Sequence, residues 1–216
     1  MLFFATTMFS QRTVTKEVGG FDELKVFDLI AVDLIPSDEN TVVIKGENTD
    51  DVKVINDNGK LKIRMLLEQR FNGDETQIEI YYQKIDVLDA NEGAYIYGNS
   101  PITQNNITLR AQEGGQIQVR LAVNNAKVKS VTGGGVEAIG TAENVDITLN
   151  TGGVFEGKEL STKETKVTIT AAGRADINAS EKVHARVTAG GNIYIYGNPK
   201  EVDKKRLAGG RIKIMH

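Results

Sequence analysis

Two histidines are the first candidates for catalysis or metal binding. His184 sits in the polar phase of Val183-His184-Ala185-Arg186-Val187, and His216 ends the sequence. No H-x-x-H, H-E-x-x-H or two-histidine-one-carboxylate spacing occurs, so a histidine-held metal is not expected. A Ser-His-Asp hydrolase would need His184, and no G-x-S-x-G elbow is there to present a serine. The sequence has no cysteine, which excludes disulfides, thiolate metal sites and cysteine nucleophiles. Gly133-Gly134-Gly135 has the composition of a phosphate loop, but a strand pattern follows where the N-terminus of a helix would be required. The glycine steps lack the phased aspartate of calcium-binding β-rolls. Asp86 with Asp89, or Asp50 with Asp51, could pair as glycosidase carboxylates do, but nothing in the spacing selects a pair. The residue types therefore predict no metal, no cofactor and no enzyme.

Tyrosine placement is more informative. All six tyrosines occur as pairs: Tyr81/Tyr82, Tyr95/Tyr97 and Tyr194/Tyr196. The last two pairs lie in matched phrases, AYIYGNSP (94–101) and IYIYGNPK (193–200), 99 residues apart. In a strand, each i, i+2 pair projects to one face, opposite Ile96 in the first phrase and Ile193 and Ile195 in the second. Outward tyrosines are flat, amphipathic surfaces suited to sugar stacking or protein contact. The alternative is that they cover another layer or cap the ends of an array. Tyr95, Tyr97, Tyr194 and Tyr196 are the candidate ligand-binding residues. The C-terminal stretch is basic through Lys200, Lys204, Lys205, Arg206, Arg211 and Lys213. That pattern protects a strand edge or meets an acidic glycan.

Both tyrosine phrases belong to a repeat. From residue 85 onward, strand, glycine step and strand recur as IDVLDANEGAYIYG, ITLRAQEGGQIQV, KVKSVTGGGVEAIG, VDITLNTGGVFEG, KVTITAAGRADINA and VHARVTAGGNIYIYG, ending in LAGGRIKI. The steps at Gly93, Gly115, Gly135, Gly153, Gly173, Gly191 and Gly210 are separated by 22, 20, 18, 20, 18 and 19 residues. A sustained period of this kind marks a stacked array. Each flank alternates apolar and polar residues, which puts aliphatics on one face only. One unit cannot bury that face alone, whereas stacked units build a continuous Ile/Val/Leu ladder. The pattern predicts an all-β, β-helix-like stack of ~20-residue glycine-phased repeats. The competing architecture is an antiparallel sandwich, which has no need of regular glycine phasing.

Residues 12–84 are strand-rich but less regular, with a hairpin signal at Asp57-Asn58-Gly59. Residues 1–84 carry 10 basic and 15 acidic groups, and residues 85–216 carry 16 and 14. With the change in glycine density, this places a boundary near residue 84 between an irregular β-rich part and the repeat array at 85–216, the two being continuous. Residues 1–11, MLFFATTMFSQ, are uncharged and too short to span a bilayer. They read as the back half of a signal peptide, which predicts export. No segment approaches 18 consecutive apolar residues, so no transmembrane helix is expected. A net charge of -3 without a basic composition gives no reason to expect nucleic acid as a partner.

The phrases VGGFDELKVFDLIAVDLI (18–35), GAYIYGN (93–99), TGGGVEAIG (132–140) and AGGNIYIYGNPKEV (189–202) resemble a bacterial family common in Bacteroidetes. It is the putative auto-transporter adhesin, head GIN domain family, and the resemblance runs from about residue 18 to the end. It implies a right-handed β-helical domain carried behind a signal peptide to the cell envelope, and it brings no catalytic residues. The expected function is a non-enzymatic adhesin-like or structural module that is periplasmic, outer-membrane-associated or extracellular. Its partner would be a surface glycan or a protein. The alternatives are a glycan-active lyase or hydrolase on the same scaffold, and a scaffold that self-assembles as a homo-oligomer through exposed coil edges.

Overall fold

The computed structural model describes residues 12–46 and 48–215; the signal-like segment at 1–11 lies outside them. The chain is all-β, 70% strand and 3% helix, with a β-solenoid of about seven turns at ~19-residue spacing. The strands are β1 (Thr13–Glu17), β2 (Glu23–Val26), β3 (Ala31–Pro36), β4 (Thr41–Lys45), β5 (Val52–Asp57), β6 (Lys60–Met65), β7 (Gln77–Tyr82) and β8 (Val87–Ala90). They continue as β9 (Tyr95–Ala111), β10 (Gln116–Val131), β11 (Gly135–Asn150), β12 (Val154–Ala171), β13 (Arg174–Ala189), β14 (Asn192–Tyr196), β15 (Glu201–Ala208) and β16 (Arg211–Ile214).

Each long strand runs along one side of a coil, turns a corner and returns along another. The inward–outward alternation slips at the corner, where two successive residues are exposed: Asn105-Asn106, Asn124-Asn125, Glu143-Asn144 and Lys163-Glu164. An asparagine ladder binds that corner from rung to rung. Asn125 Nδ2 donates to Asn106 Oδ1 at 3.1 Å, and Asn144 Nδ2 donates to Asn125 Oδ1 at 3.0 Å.

Two parallel ladders result. One stacks β7, β3, the first halves of β9 to β13, β14 and β16. The other stacks β6, β2, β8, the second halves of β9 to β13, and β15. The inward residues form aliphatic columns, for example Leu61, Leu24, Leu88, Leu109, Val128 and Ile147, all at most 1% exposed. Each such side chain contributes about 1.5–3 kcal/mol of burial, an upper figure because the unfolded chain already hides part of this surface.

At the first end, spatial order departs from chain order. The β2–β3 unit lies between the rung made by β6 and β7 and the rung made by β8 and β9. Strands β4 and β1 then add antiparallel beyond β7, and β5 pairs antiparallel with β6 through a turn in which Asn58 and Gly59 have φ of 50° and 85°. Antiparallel strands thus close this end. The other end is closed chemically. In register with the core residues Ala185 and Val187, β15 carries Lys204 and Arg206, and charges at inward positions discourage a further strand from docking.

The turns divide their work between successive residues. Glu113 and Gly114 both take positive φ (51° and 78°), and Gly115 follows with no room for a side chain. A Cβ on Gly115 would lie 2.3 Å from the carbonyl oxygen of Ala90, one rung away. Register pairs Gln116 with Gly135 and Gly135 with Val154, so Gly115 aligns with Gly134 and Gly153. Phasing on Gly135 is therefore one residue late, and phasing on Gly93 one residue early, because Ala94 is the residue aligned with Gly115.

Candidate functional site

The outward face of the β9–β14 ladder carries the tyrosines. Tyr95 and Tyr97 stand side by side on β9, ring centroids 6.5 Å apart and planes 9° from parallel. Both are exposed to solvent in part, and the Tyr95 hydroxyl donates to Gln118 Oε1 on the next rung. Burial pushes the Tyr95 phenol above its ordinary pKa, with smaller contributions from Glu137, Tyr97 and Asp33. On β14, Tyr194 lies 5.5 Å beneath the Arg174 guanidinium, and Tyr196 lies 5.1 Å beneath the Lys158 ammonium. These are cation–π arrangements. Of the third pair, Tyr82 is buried in the core, and Tyr81 faces outward and donates to Glu79 Oε2 at 3.2 Å.

Register connects the two candidate pairs. Tyr97 pairs with Gln118, Gln118 with Glu137, Glu137 with Glu156, Glu156 with Asp176, and Asp176 with Tyr194. One outward row therefore has a tyrosine at each end, five rung steps or about 24 Å apart, with a glutamine and three carboxylates between. Two depressions of about 320 Å³ each lie on this row. The first is walled by Tyr95, Gln116 and Gln118, the second by Lys158, Arg174 and Tyr196, and both include Glu137 and Glu156. They form one groove from Tyr95 to Tyr196. Asp176 is its most enclosed acid: it is 5% exposed, Oδ2 is 2.8 Å from Arg174, and Oδ1 is buried without a partner.

The carboxylates in this groove are not the pairs suggested by proximity in sequence. Asp86 pairs with Lys84 at 2.5 Å, and Asp50 pairs with Arg12. Asp89 is buried 2.8 Å from Lys25 and accepts from Asn91 and Gln112. Glu137, Glu156 and Asp176 were reachable from sequence only by counting two residues from the start of each post-turn strand. The extra glycine at 133–135 hides that phase. His184 is exposed on the other ladder, 3.4 Å from Asp203. Among the described residues, no three His, Cys, Asp or Glu side chains are grouped to hold a metal ion.

The groove's chemistry is that of polar, hydroxyl-rich ligands. Partly exposed aromatic rings offer flat apolar faces, and the carboxylates, glutamines and cations between them offer hydrogen-bond partners of both kinds.

Comparison with known proteins gives a consistent family and fold. The family model described as putative auto-transporter adhesin, head GIN domain, matches residues 20–199. A crystal structure of a putative adhesin from Bacteroides fragilis superposes with a TM-score of 0.87 at 17% identity, covering 96% of this chain and 98% of that one. A putative lipid binding protein from Parabacteroides distasonis and a putative adhesin from Parabacteroides merdae each superpose at 0.72, with 15% and 16% identity, covering 97% of this chain and 98% of theirs. No curated protein matches the chain. At these identities the likeness to solved structures is one of fold. No helix among the described residues is long and apolar enough to cross a membrane.

Proposed function

The chain belongs to the putative auto-transporter adhesin, head GIN domain family, and on that premise we propose that it is an exported, non-enzymatic binding module of the cell envelope. The solenoid holds the groove between Tyr95/Tyr97 and Tyr194/Tyr196, and the ligand is a surface glycan. The observation that carries this reading is the single outward row from Tyr97 to Tyr194. Two aromatic pairs about 24 Å apart on a stiff sheet fit an extended chain of several sugars better than a single small molecule. The carboxylates along the groove also argue for hydroxyl-bearing sugars over an acyl chain, because lipid tails would leave these acids desolvated. Export rests on the signal-like residues 1–11 and on the family's description as an auto-transporter adhesin.

Glycan-array binding by the wild-type chain and by Tyr194→Ala/Tyr196→Ala tests this. Loss of the wild-type signals in the variant supports the groove, and identical profiles remove it.

One arrangement favours a second reading, a glycan-active enzyme. Glu137 and Glu156 occupy adjacent rungs beside Arg174 and Lys158, and paired carboxylates are the machinery of glycoside hydrolysis. Release of reducing ends from array-positive glycans, abolished by Glu137→Gln or Glu156→Gln, would establish it. Binding without release leaves the module a binder.

A further inference from the structure

The other ladder presents a face of opposite character. Its nine rungs run from β6 to β15, and two adjacent outward rows run the length of it. One outward row passes through Lys62, Lys25, Arg110, Lys129, Arg186 and Lys205, with Asp89 its only acid and threonines completing it. The neighbouring row contains Lys60, Lys127 and Lys166, with Glu23, Asp146 and Asp203 as its acids. These two rows therefore hold nine cations and four carboxylates on a chain whose net charge is -3. The remainder of the chain holds seventeen bases against twenty-five acids, so the two kinds of charge are sorted between surfaces.

Several of these cations are unspent. Lys127, Lys129, Arg186 and Lys205 are exposed, and none lies within ion-pair distance of a carboxylate among the described residues, unlike Lys166 with Asp146 or Lys25 with Asp89. Lys166, His184, Arg186 and Lys205 also line a depression of about 330 Å³ whose floor is Val167 and Ala185.

We propose that this face binds an acidic polysaccharide laid along the stack, independently of the tyrosine groove. Charge density decides among polyanions. Eight rung steps span about 38 Å, so five net positive charges correspond to about one per 8 Å. Duplex DNA presents about one negative charge per 1.7 Å, and its phosphates would also meet the four carboxylates of the face. A glycan with carboxylates separated by neutral hydroxyls matches the sparser positive charge, and its hydroxyls suit Thr108, Thr148, Thr168 and the interspersed acids. Single-stranded nucleic acid binding relies on stacking aromatics, and no tyrosine or phenylalanine stands on either row. An anionic membrane is disfavoured because the two cationic rows themselves carry no large apolar side chain to enter the interface; the exposed Leu207 stands at the last rung, beside Lys205.

The test titrates the full chain with polygalacturonate, with neutral dextran, with duplex DNA, and with phosphatidylcholine vesicles containing phosphatidylglycerol. The expected result is binding to polygalacturonate that weakens with salt, and none to dextran. Lys129→Glu/Arg186→Glu should lose roughly tenfold or more of that affinity, and Lys129→Gln/Arg186→Gln should lose less, with thermal unfolding confirming that both variants fold. Tyr194→Ala/Tyr196→Ala should bind polygalacturonate as wild type does, so failure of the tyrosine groove and failure of this face are separable. Equal binding to dextran, unaltered affinity in the charge-reversed variant, loss in the tyrosine variant, or tighter binding to DNA or vesicles would each overturn the proposal.

Discussion

The ring of Phe155 fills the volume that a side chain at Gly157 would require. A Cβ placed on Gly157 would lie 2.3 Å from Phe155 Cε1 and 2.6 Å from Cζ. Phe155 is the largest fully buried side chain in a column otherwise made of Ile, Val and Ala. Its rung neighbours are Val136 and Ala175, so the column absorbs the ring by narrowing on one side and by omitting a side chain two residues along.

Gly157→Ala should therefore destabilise the protein by about 1–3 kcal/mol through overpacking. In a Phe155→Leu background the same substitution should cost much less, because the shorter side chain vacates the clash. Urea unfolding of the four proteins measures the coupling, expected between about 0.5 and 3 kcal/mol. Strict additivity would show that the ring relaxes freely.

The turn residues permit a sharper comparison. Gly133 has φ of 73° and open space for 4 Å around the point a Cβ would occupy, whereas a Cβ on Gly134 would lie 2.3 Å from the Ala111 carbonyl oxygen. Gly133→Ala should cost about 1 kcal/mol from left-handed strain alone. Gly134→Ala must push two rungs of backbone apart and should cost about 3 kcal/mol. Equal melting-temperature losses would contradict the division of work between the two glycines.

That division also explains what the sequence could reveal. The aliphatic columns and ~19-residue repeat were legible because strand alternation and coil length are local properties. The outward direction of Tyr95, Tyr97, Tyr194 and Tyr196 followed from the same alternation. The row Glu137, Glu156 and Asp176 was not legible, since it depends on register, and the triplet Gly133-Gly134-Gly135 shifts the apparent phase by one residue. The placement of β2 and β3 between later strands was also hidden, because it arises from pairing between segments far apart in sequence. The basic C-terminal stretch suggested edge protection, and the register of Lys204 and Arg206 with Ala185 and Val187 singles out the two cations that occupy inward positions.

Lys25 and Asp89 predict an asymmetry between partners. Asp89 is 1% exposed, and Lys25 Nζ lies 2.8 Å from its Oδ2. Lys25→Met would leave Asp89 Oδ2 with only Arg110 Nη1, 3.9 Å away, while Asn91 and Gln112 still donate to Oδ1, and should cost about 3 kcal/mol. Asp89→Asn should cost less, since the lysine head still reaches solvent and Glu23. Chemical denaturation of both variants tests the order, and a larger loss in Asp89→Asn would reverse the assignment of the strained partner.

Glu92 gives the pH dependence. Burial, followed by a hydrogen bond and charge from Asp28, raises its pKa above the ordinary carboxylate value, against an opposing contribution from Arg70. Asp28 is fully buried and accepts from the Met65 amide at 3.1 Å, with Arg64 and Arg70 4.0 and 3.9 Å away. Asp28 Oδ1 and Glu92 Oε2 are both buried without a partner, and a proton on Glu92 supplies the missing donor. In the window between the ordinary pKa and the raised one, the folded state binds more protons than the unfolded state, so this group's stabilising contribution is present at acid pH and lost as pH rises. Glu92→Gln keeps an oxygen for Arg70 and supplies a permanent donor to Asp28. The variant should be more stable than wild type at neutral pH, with the advantage shrinking as the pH falls from the raised pKa to the ordinary carboxylate value and staying constant below it. Urea midpoints across that range read the difference directly. A wild type that gains on Glu92→Gln as pH rises would show instead that the Arg70 contact, 3.2 Å from Glu92 Oε1, outweighs burial and holds the carboxylate ionised.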